Sequence, residues 1–201
     1  MKTIVFASRN EGKIREIKSM LEDANVMIFS LNDFSDHPAI EEDGETFFEN
    51  ALKKAKTISD AIGETVLADD SGLEVDYLGG KPGVRSSRYS GDDATDDRNN
   101  AKLLYQLNGV SAENRGASFR CVLVLYRPDG WFESFEGSLR GLISEEPVGN
   151  GGFGYDPVFF IPEKGMTAAQ LPAEIKNRIS HRAEAVKKLK KWLQSGRSAA
   201  R

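Results

Sequence analysis

Thr65-Val66-Leu67-Ala68-Asp69-Asp70-Ser71-Gly72 is the stretch on which the fold turns. A short apolar run without alternation is the pattern of a strand buried on both faces. It runs directly into two acids, and α/β sheets place their sites at the carboxyl ends of strands. Buried carboxylates cost desolvation unless a cation or donor meets them. Successive side chains of an extended segment point to opposite faces, so only one of Asp69 and Asp70 is expected to face a cleft. The bland alternative is a polar turn that ends the strand. Two acids at the end of a buried run favour the functional reading.

Outward from this strand the chain alternates between strand and helix patterns. Thr3-Ile4-Val5-Phe6-Ala7 is a second buried strand. A polar loop follows, then a helix with Ile14, Ile17 and Leu21 on one face and Asn10 as N-cap. Val26 to Phe29 reads as a strand. Thr46 and Glu49 form the capping pattern of a long helix whose stripe is Phe48, Ala51, Leu52, Ala55, Ile58 and Ile62. Leu78 to Gly91 is irregular, and Ala94 to Leu107 is helical. Phe119 to Arg127 and Trp131 to Arg140 form a hairpin about Pro128-Asp129-Gly130. Val158 to Ile161 is a strand between prolines, and Ala168 to Asn177 is a weak helix broken at Pro172. Ser180 caps a last helix with Ala183, Val186, Leu189 and Leu193 on its apolar face. The fold class is α/β, a mixed sheet flanked by helices in one domain over residues 1–194. Residues 195–201 read as a disordered basic tail.

Charge and cysteine usage exclude several classes. Against 31 Asp+Glu stand 27 Lys+Arg, a net charge of −4, so no basic field suggests a nucleic-acid partner. The single Cys121 cannot form an internal disulfide and points to a reducing compartment. The longest apolar run, Cys121 to Tyr126, is far short of the ~20 residues of a membrane span. The first residues are too short an apolar run for a secretory signal. A soluble cytoplasmic protein without a membrane partner is the expectation.

Five segments carry candidate chemistry, each with a plainer alternative. Ser8-Arg9-Asn10-Glu11-Gly12-Lys13 opens a helix, whose free N–H groups and partial positive charge suit phosphate. Taken alone it is an ordinary capped connection, and it lacks the GxxxxGK[ST] pattern. Glu41-Glu42-Asp43-Gly44-Glu45 offers carboxylates for Mg²⁺, or is a solvated acidic loop before a helix. Gly149 to Gly154 matches GxGxxG, but that fingerprint needs a strand before and a helix after, and here a strand follows. Phe153 and Tyr155 could stack a flat base there, or be core aromatics in a Gly-rich turn; both readings stay open. His181 and Arg182 fall in a first helical turn, where the dipole disfavours cations, so an anionic or acceptor-rich partner suits them. Surface charge is the alternative, and His37 reads as surface. No GxSxG, HExxH or CxxC is present.

Ser8-x-Asn10-x-Gly12-Lys13, Glu41-Glu42 with Glu49-Asn50-Ala51, Asp69-Asp70-Ser71-Gly72-Leu73, Gly79-Gly80-x-Pro82-Gly83, Arg88-Tyr89-Ser90-Gly91, Gly151-Gly152-Phe153-Gly154-Tyr155-Asp156-Pro157 and Ser180-His181-Arg182 stand in this order. Together they resemble the inosine triphosphate pyrophosphatase family, its bacterial members in particular, from Thr3 to about Leu193. The resemblance implies Mg²⁺-dependent hydrolysis of deaminated purine nucleoside triphosphates, ITP, dITP and XTP, to monophosphate and pyrophosphate. That activity keeps them out of DNA and RNA. It implies an elongated two-lobed fold with a cleft between lobes, and a homodimer. Carried over by position, Ser8, Arg9, Asn10, Glu11, Gly12 and Lys13 line the triphosphate. Glu41 and Asp70 hold Mg²⁺, Asp70 accepts the proton of the attacking water, and Ser71 touches substrate. Phe153, Gly154, Tyr155, Asp156, Lys176, His181 and Arg182 surround the base and nearby phosphates. Arg9 departs from the pattern, standing where many relatives have Gly. Donors such as Arg182 and His181 favour a keto base over adenine's amino group. A nucleotide sensor with a dead centre is disfavoured by the intact Glu41, Asp70 and Lys13. A pyrophosphatase of the septum-inhibitor type is disfavoured by the His181-Arg182 pair and the 151–156 loop.

Overall fold

The apolar runs become strands, and their buried partners decide which way they pair. In the computed structural model, which describes residues 2–34 and 37–195, the first strands are β1 (Lys2–Phe6), β2 (Val26–Ser30) and β3 (Val66–Val75). β1 lies parallel to both β2 and β3, in register at Ile4↔Ile28 and Phe6↔Leu67. The second half of the sheet comes from β4 (Gly116–Tyr126), β5 (Phe132–Ile143), β6 (Phe159–Ile161) and β7 (Met166–Thr167), with β5, β6 and β7 antiparallel. The seven strands run in the order β2-β1-β3-β4-β5-β6-β7. The sheet is mixed, as strands and helices in alternation together with one long hairpin predict. Its helices are α1 (Glu11–Leu21), α2 (Phe47–Ile62), α3 (Asp96–Gln106), α4 (Ala173–Ile179) and α5 (His181–Gln194). None of the described helices is long and apolar enough to cross a membrane.

The sequence ends the central strand at Ala68, and the structure carries it on to Val75. The reason is pairing on the other side. β1 stops at Phe6, opposite Leu67, but β4 continues beside β3. Leu73 and Val75 are wholly buried and anchor the extension. Asp69 and Asp70 therefore sit mid-strand, just past the point where the parallel neighbour ends. β7 went unseen because two residues carry no periodicity. Of the tail over 195–201, residues 196–201 lie outside the described residues.

The chain divides into two compact units, and the division falls within β3, β4 and β5 and at the first residue of α5. Unit 1 holds residues 1–70, 121–137 and 182–201; unit 2 holds 71–120 and 138–181. In unit 1, Ile14, Ile17 and Leu21 of α1 and Ala185, Val186 and Leu189 of α5 close over Ile4, Phe6, Leu67 and Leu123. In unit 2 the core is built from Leu73, Val75, Leu103, Leu107, Phe119 and Phe159 with Tyr155.

Helix α2 begins where its cap dictates. The Thr46 side chain accepts from the Glu49 N–H at 3.1 Å, and the Glu49 carboxylate accepts from the Thr46 N–H at 3.2 Å. Two of the donors left over at the helix start are thereby satisfied. Thr46→Ala is expected to cost about 1 kcal/mol and to lower the thermal midpoint by about 2–4 °C. Urea and thermal unfolding followed by circular dichroism check it, and an unchanged midpoint would assign the helix start to burial of Phe47 alone.

Candidate functional site

Alternation along β3 sends its two acids to opposite faces, and each face supplies different partners. Asp69 shares its face with Leu67, where α1 and α5 lie. Lys13 Nζ approaches Asp69 Oδ2 at 2.9 Å, and an Arg182 Nη2–H donates to the same oxygen at 3.1 Å. Arg182 Nη1 also donates to Glu16, so this guanidinium is fully buried among carboxylates of its own unit. Burial pushes the Asp69 carboxyl up, yet Lys13, Arg182 and Lys54 together hold it well below the usual carboxylate range. The same acids outweigh burial at Arg182 and hold its proton more tightly.

Asp70 faces α2. Asn50 Nδ2 donates to Asp70 Oδ2 at 3.0 Å, and Lys54 Nζ stands 3.8 Å from Asp70 Oδ1. Lys54 is itself buried and donates to Glu42 Oε1 at 2.6 Å. Burial lowers the Lys54 ammonium's proton affinity, but Asp69, Glu42 and Asp70 more than restore it. At Asp70 the balance goes the other way. Burial pushes its carboxyl up to about 6, against the pull of Lys54 and Asn50.

The loop before α1 is ordered by its own polar groups. Asn10 caps α1 as expected, its Oδ1 accepting from the Lys13 N–H at 3.1 Å. Ser8 Oγ accepts from the Asn10 N–H at 3.2 Å. Arg9 is exposed and donates to His37 Nε2 at 2.7 Å, and Glu11 Oε1 accepts from Asn32 at 2.5 Å. Gly12 and Lys13 occupy the first turn of α1, with the Lys13 side chain largely shielded. Ser71 follows Asp70 on β3, half-buried. Glu41 is exposed; the member of the acidic run that meets Lys54 beside Asp70 is Glu42.

Unit 2 gathers a second group. Asp156 is buried, and its Oδ2 accepts from the Phe153 N–H at 2.9 Å and from Lys176 Nζ at 2.5 Å. A side chain at Gly152, where φ is +74°, would collide with that carboxylate, so only glycine lets the loop close on Asp156. Lys176 Nζ stands 4.7 Å from the centroid of the half-buried Phe153 ring. Tyr155 is a core residue whose hydroxyl donates to the Ser86 carbonyl at 2.8 Å, and burial pushes its pKa up. Of the two aromatics read as possible stacking surfaces, Phe153 alone borders solvent. His181 is buried, its ring stacked 4.8 Å from Phe119.

Lys54 and Glu16 were missed by the sequence reading, and Asn50 and Glu42 stand in its motifs without a role of their own. Asn50 and Lys54 carried a signal: they interrupt the apolar stripe of α2, which buries Phe47 in place of the expected Phe48 together with Ala51, Ala55 and Ile58. Glu42 is indistinguishable from its acidic neighbours until its reach to Lys54 is seen. Among the described residues no three His, Cys, Asp or Glu side chains are placed together to hold a metal ion. One or two carboxylates suffice for Mg²⁺, which keeps waters and takes phosphate oxygens. The hard oxygen donors of Asp70 and its acidic neighbours fit that demand.

These features define an α/β protein with carboxylates and lysines clustered where its parallel strands end. The sequence pattern of the Ham1 family matches residues 4–192. A dITP/XTP pyrophosphatase of Geobacter sulfurreducens is 53% identical over 193 residues, covering 96% of this chain and 97% of its own. One from Bacillus licheniformis is 53% identical over 189 residues, 94% and 96% of the two chains. The structure of a HAM1 protein from Coxiella burnetii superposes with a TM-score of 0.89 at 41% identity, covering 98% of this chain and 100% of that one. The chain belongs to the Ham1 family.

Because the raised Asp70 stays protonated in the fold while its unfolded counterpart ionises at 3.8, its contribution to stability is full below about pH 4 and is lost as pH rises through about 6. Asp70→Asn removes that cost. In EDTA it should exceed wild type by about 2 kcal/mol at pH 7.5 and by much less at pH 4.5. Urea unfolding at the two pH values checks this; a difference independent of pH would dismiss burial as the cause. Asp69→Asn should instead destabilise by about 3 kcal/mol or more at pH 7.5, because it takes an acceptor from the buried Arg182 and from the largely shielded Lys13.

Proposed function

We propose that this chain hydrolyses ITP, dITP and XTP to the monophosphate and pyrophosphate. The observation that carries the reading is the pair of adjacent buried acids on β3, one neutralised by Lys13 and Arg182, the other facing Lys54 and Asn50. Full-length relatives named dITP/XTP pyrophosphatases support the substrate class.

Lys13 and the first-turn N–H groups of α1 bind the triphosphate, with Ser8, Arg9, Asn10, Glu11 and Gly12 shaping the loop. Asp69 holds the Lys13 ammonium in place and leaves its other donors to phosphate. Asp70 orients the attacking water and takes its proton. Ser71 contacts substrate. Mg²⁺, held by Asp70 with Glu41 or Glu42, supplies charge to the leaving pyrophosphate when bound. Phe153 stacks the purine, a contact that tolerates different bases. Lys176 and His181 then supply donors along the base edge, with Gly154, Tyr155 and Asp156 forming the loop beneath. A 6-keto base accepts from such donors, whereas adenine's amino group would meet donor with donor. The resemblance extends the reading to a homodimer in the cytoplasm, which sedimentation and fractionation test.

With Mg²⁺, the purified protein should convert ITP and XTP to monophosphate and pyrophosphate and spare GTP and ATP. Product analysis by ion-exchange chromatography checks it, and release of orthophosphate would overturn cleavage between the α and β phosphorus atoms. Lys13→Ala should raise KM for ITP about tenfold or more. An unchanged KM and kcat would return the loop to an ordinary helix cap.

A further inference from the structure

The loop from Phe153 to Asp156 is shaped at Gly154, and packing does not hold it there. Gly154 adopts φ +64°, and nothing lies within 4 Å of where a side chain would begin. A glycine in open space has access to a broad range of conformations unless hydrogen bonds select one. Two from α3 do so, beside the turn bond by which the Asp156 N–H donates to the Phe153 carbonyl at 3.3 Å. The Gly154 N–H donates to Asp96 Oδ2 at 2.6 Å, and Asn100 Nδ2 donates to the Gly154 carbonyl at 3.0 Å. Asp96 and Asn100 are four residues apart, so one face of α3 presents both. The first bond fixes the peptide plane between Phe153 and Gly154. The second fixes the plane between Gly154 and Tyr155. Two consecutive planes held from one rigid helix determine the φ and ψ of the residue between them, and with it the direction in which Phe153 leaves the chain. Asn100 is buried, so its bond is sheltered from water; Asp96 is exposed and contributes less. Thr95 already caps α3 through the Arg98 N–H, which leaves the Asp96 carboxylate to the loop.

We propose that Asp96 and Asn100 are positioning residues for purine recognition, setting the Phe153 ring through the Gly154 backbone. This rests on the reading of Phe153 as the surface that stacks the base. Neither residue touches substrate in this account; each acts through the loop.

The test compares Phe153→Ala, Asn100→Ala, Asp96→Ala and Asp96→Asn for ITP hydrolysis with Mg²⁺, and follows amide exchange over residues 150–158. Asn100→Ala and Asp96→Ala should each raise KM for ITP, Asn100→Ala by about fivefold, with kcat held within about twofold. Exchange at the loop should quicken in both. Asp96→Asn keeps an acceptor for the Gly154 N–H and should restore KM close to wild type. Asp96 is exposed, so its variants decide the matter should Asn100→Ala unfold. If Phe153→Ala raises KM while both α3 alanine variants leave it unchanged, the positioning role fails and the stacking role stands. If Phe153→Ala itself leaves KM unchanged, the stacking reading fails and the positioning role falls with it. A loss of kcat and thermal stability at constant KM, or an Asp96→Asn variant no better than Asp96→Ala, would also overturn the proposal.

Discussion

A carboxylate buried between two cations organises unit 1. Asp69 has no access to water, so its charge is tolerable only while Lys13 and Arg182 stay against it. Those two cations come from α1 and α5, the helices that close over the same face of the sheet. The ion cluster and the apolar core are therefore mutually dependent. Packing of α1 and α5 brings the cations into reach, and the cations make it possible to bury an acid in the middle of a strand. Glu16 completes the arrangement by taking the other side of the Arg182 guanidinium. A rigid, fully compensated anion at this point fixes where the Lys13 ammonium stands.

The contrast between Asp69 and Asp70 shows how one strand produces two different acids. Both are buried, and they are consecutive. Asp69 meets two close cations and stays ionised far into acid. Asp70 meets one lysine at 3.8 Å, already occupied by Glu42, and one amide donor. The compensation is incomplete, and its carboxyl rises to about 6. Only the pleat of the strand separates the two outcomes, since it assigns each residue to a different helix.

Much of this was legible in the sequence where local physics decides the structure. The Asn10 and Thr46 caps, the hairpin at Pro128-Asp129-Gly130 and the helix stripes each depend on residues within a few positions of one another. The break at Pro172 did too: a 3₁₀ turn over Ala168–Gln170 precedes it and α4 follows. What escaped depends on pairing across the chain. The extension of β3 through Asp69 and Asp70 comes from its neighbour β4, which lies about fifty residues further on. Arg182 seemed misplaced at a helix start because its acceptors, Asp69 and Glu16, lie 113 and 166 residues earlier in the chain. Arg182 is satisfied within the fold, so the dipole argument for an outside partner loses its force at that residue. Tyr155 likewise turned inward to Ser86 while Phe153 stayed at the surface, a choice that no pattern within the loop contains.

A physical signature of the site nonetheless runs through the single sequence. Asn50 and Lys54 stand on the buried stripe of α2, Asp69 and Asp70 inside a buried strand, and Lys176 and Asp156 are buried in unit 2. Each occupies a position where an aliphatic side chain would bury more apolar surface and need no partner. Evolved folds depart from core rules chiefly where a function requires it. A polar residue on an apolar stripe is thus more informative than an acidic run on the surface. By that criterion the α2 pair points at Asp70 more directly than the Glu41–Glu45 loop does. The structure explains why: burial is what makes a carboxylate's ionisation depend on its neighbours, and a solvated glutamate has no such dependence to exploit.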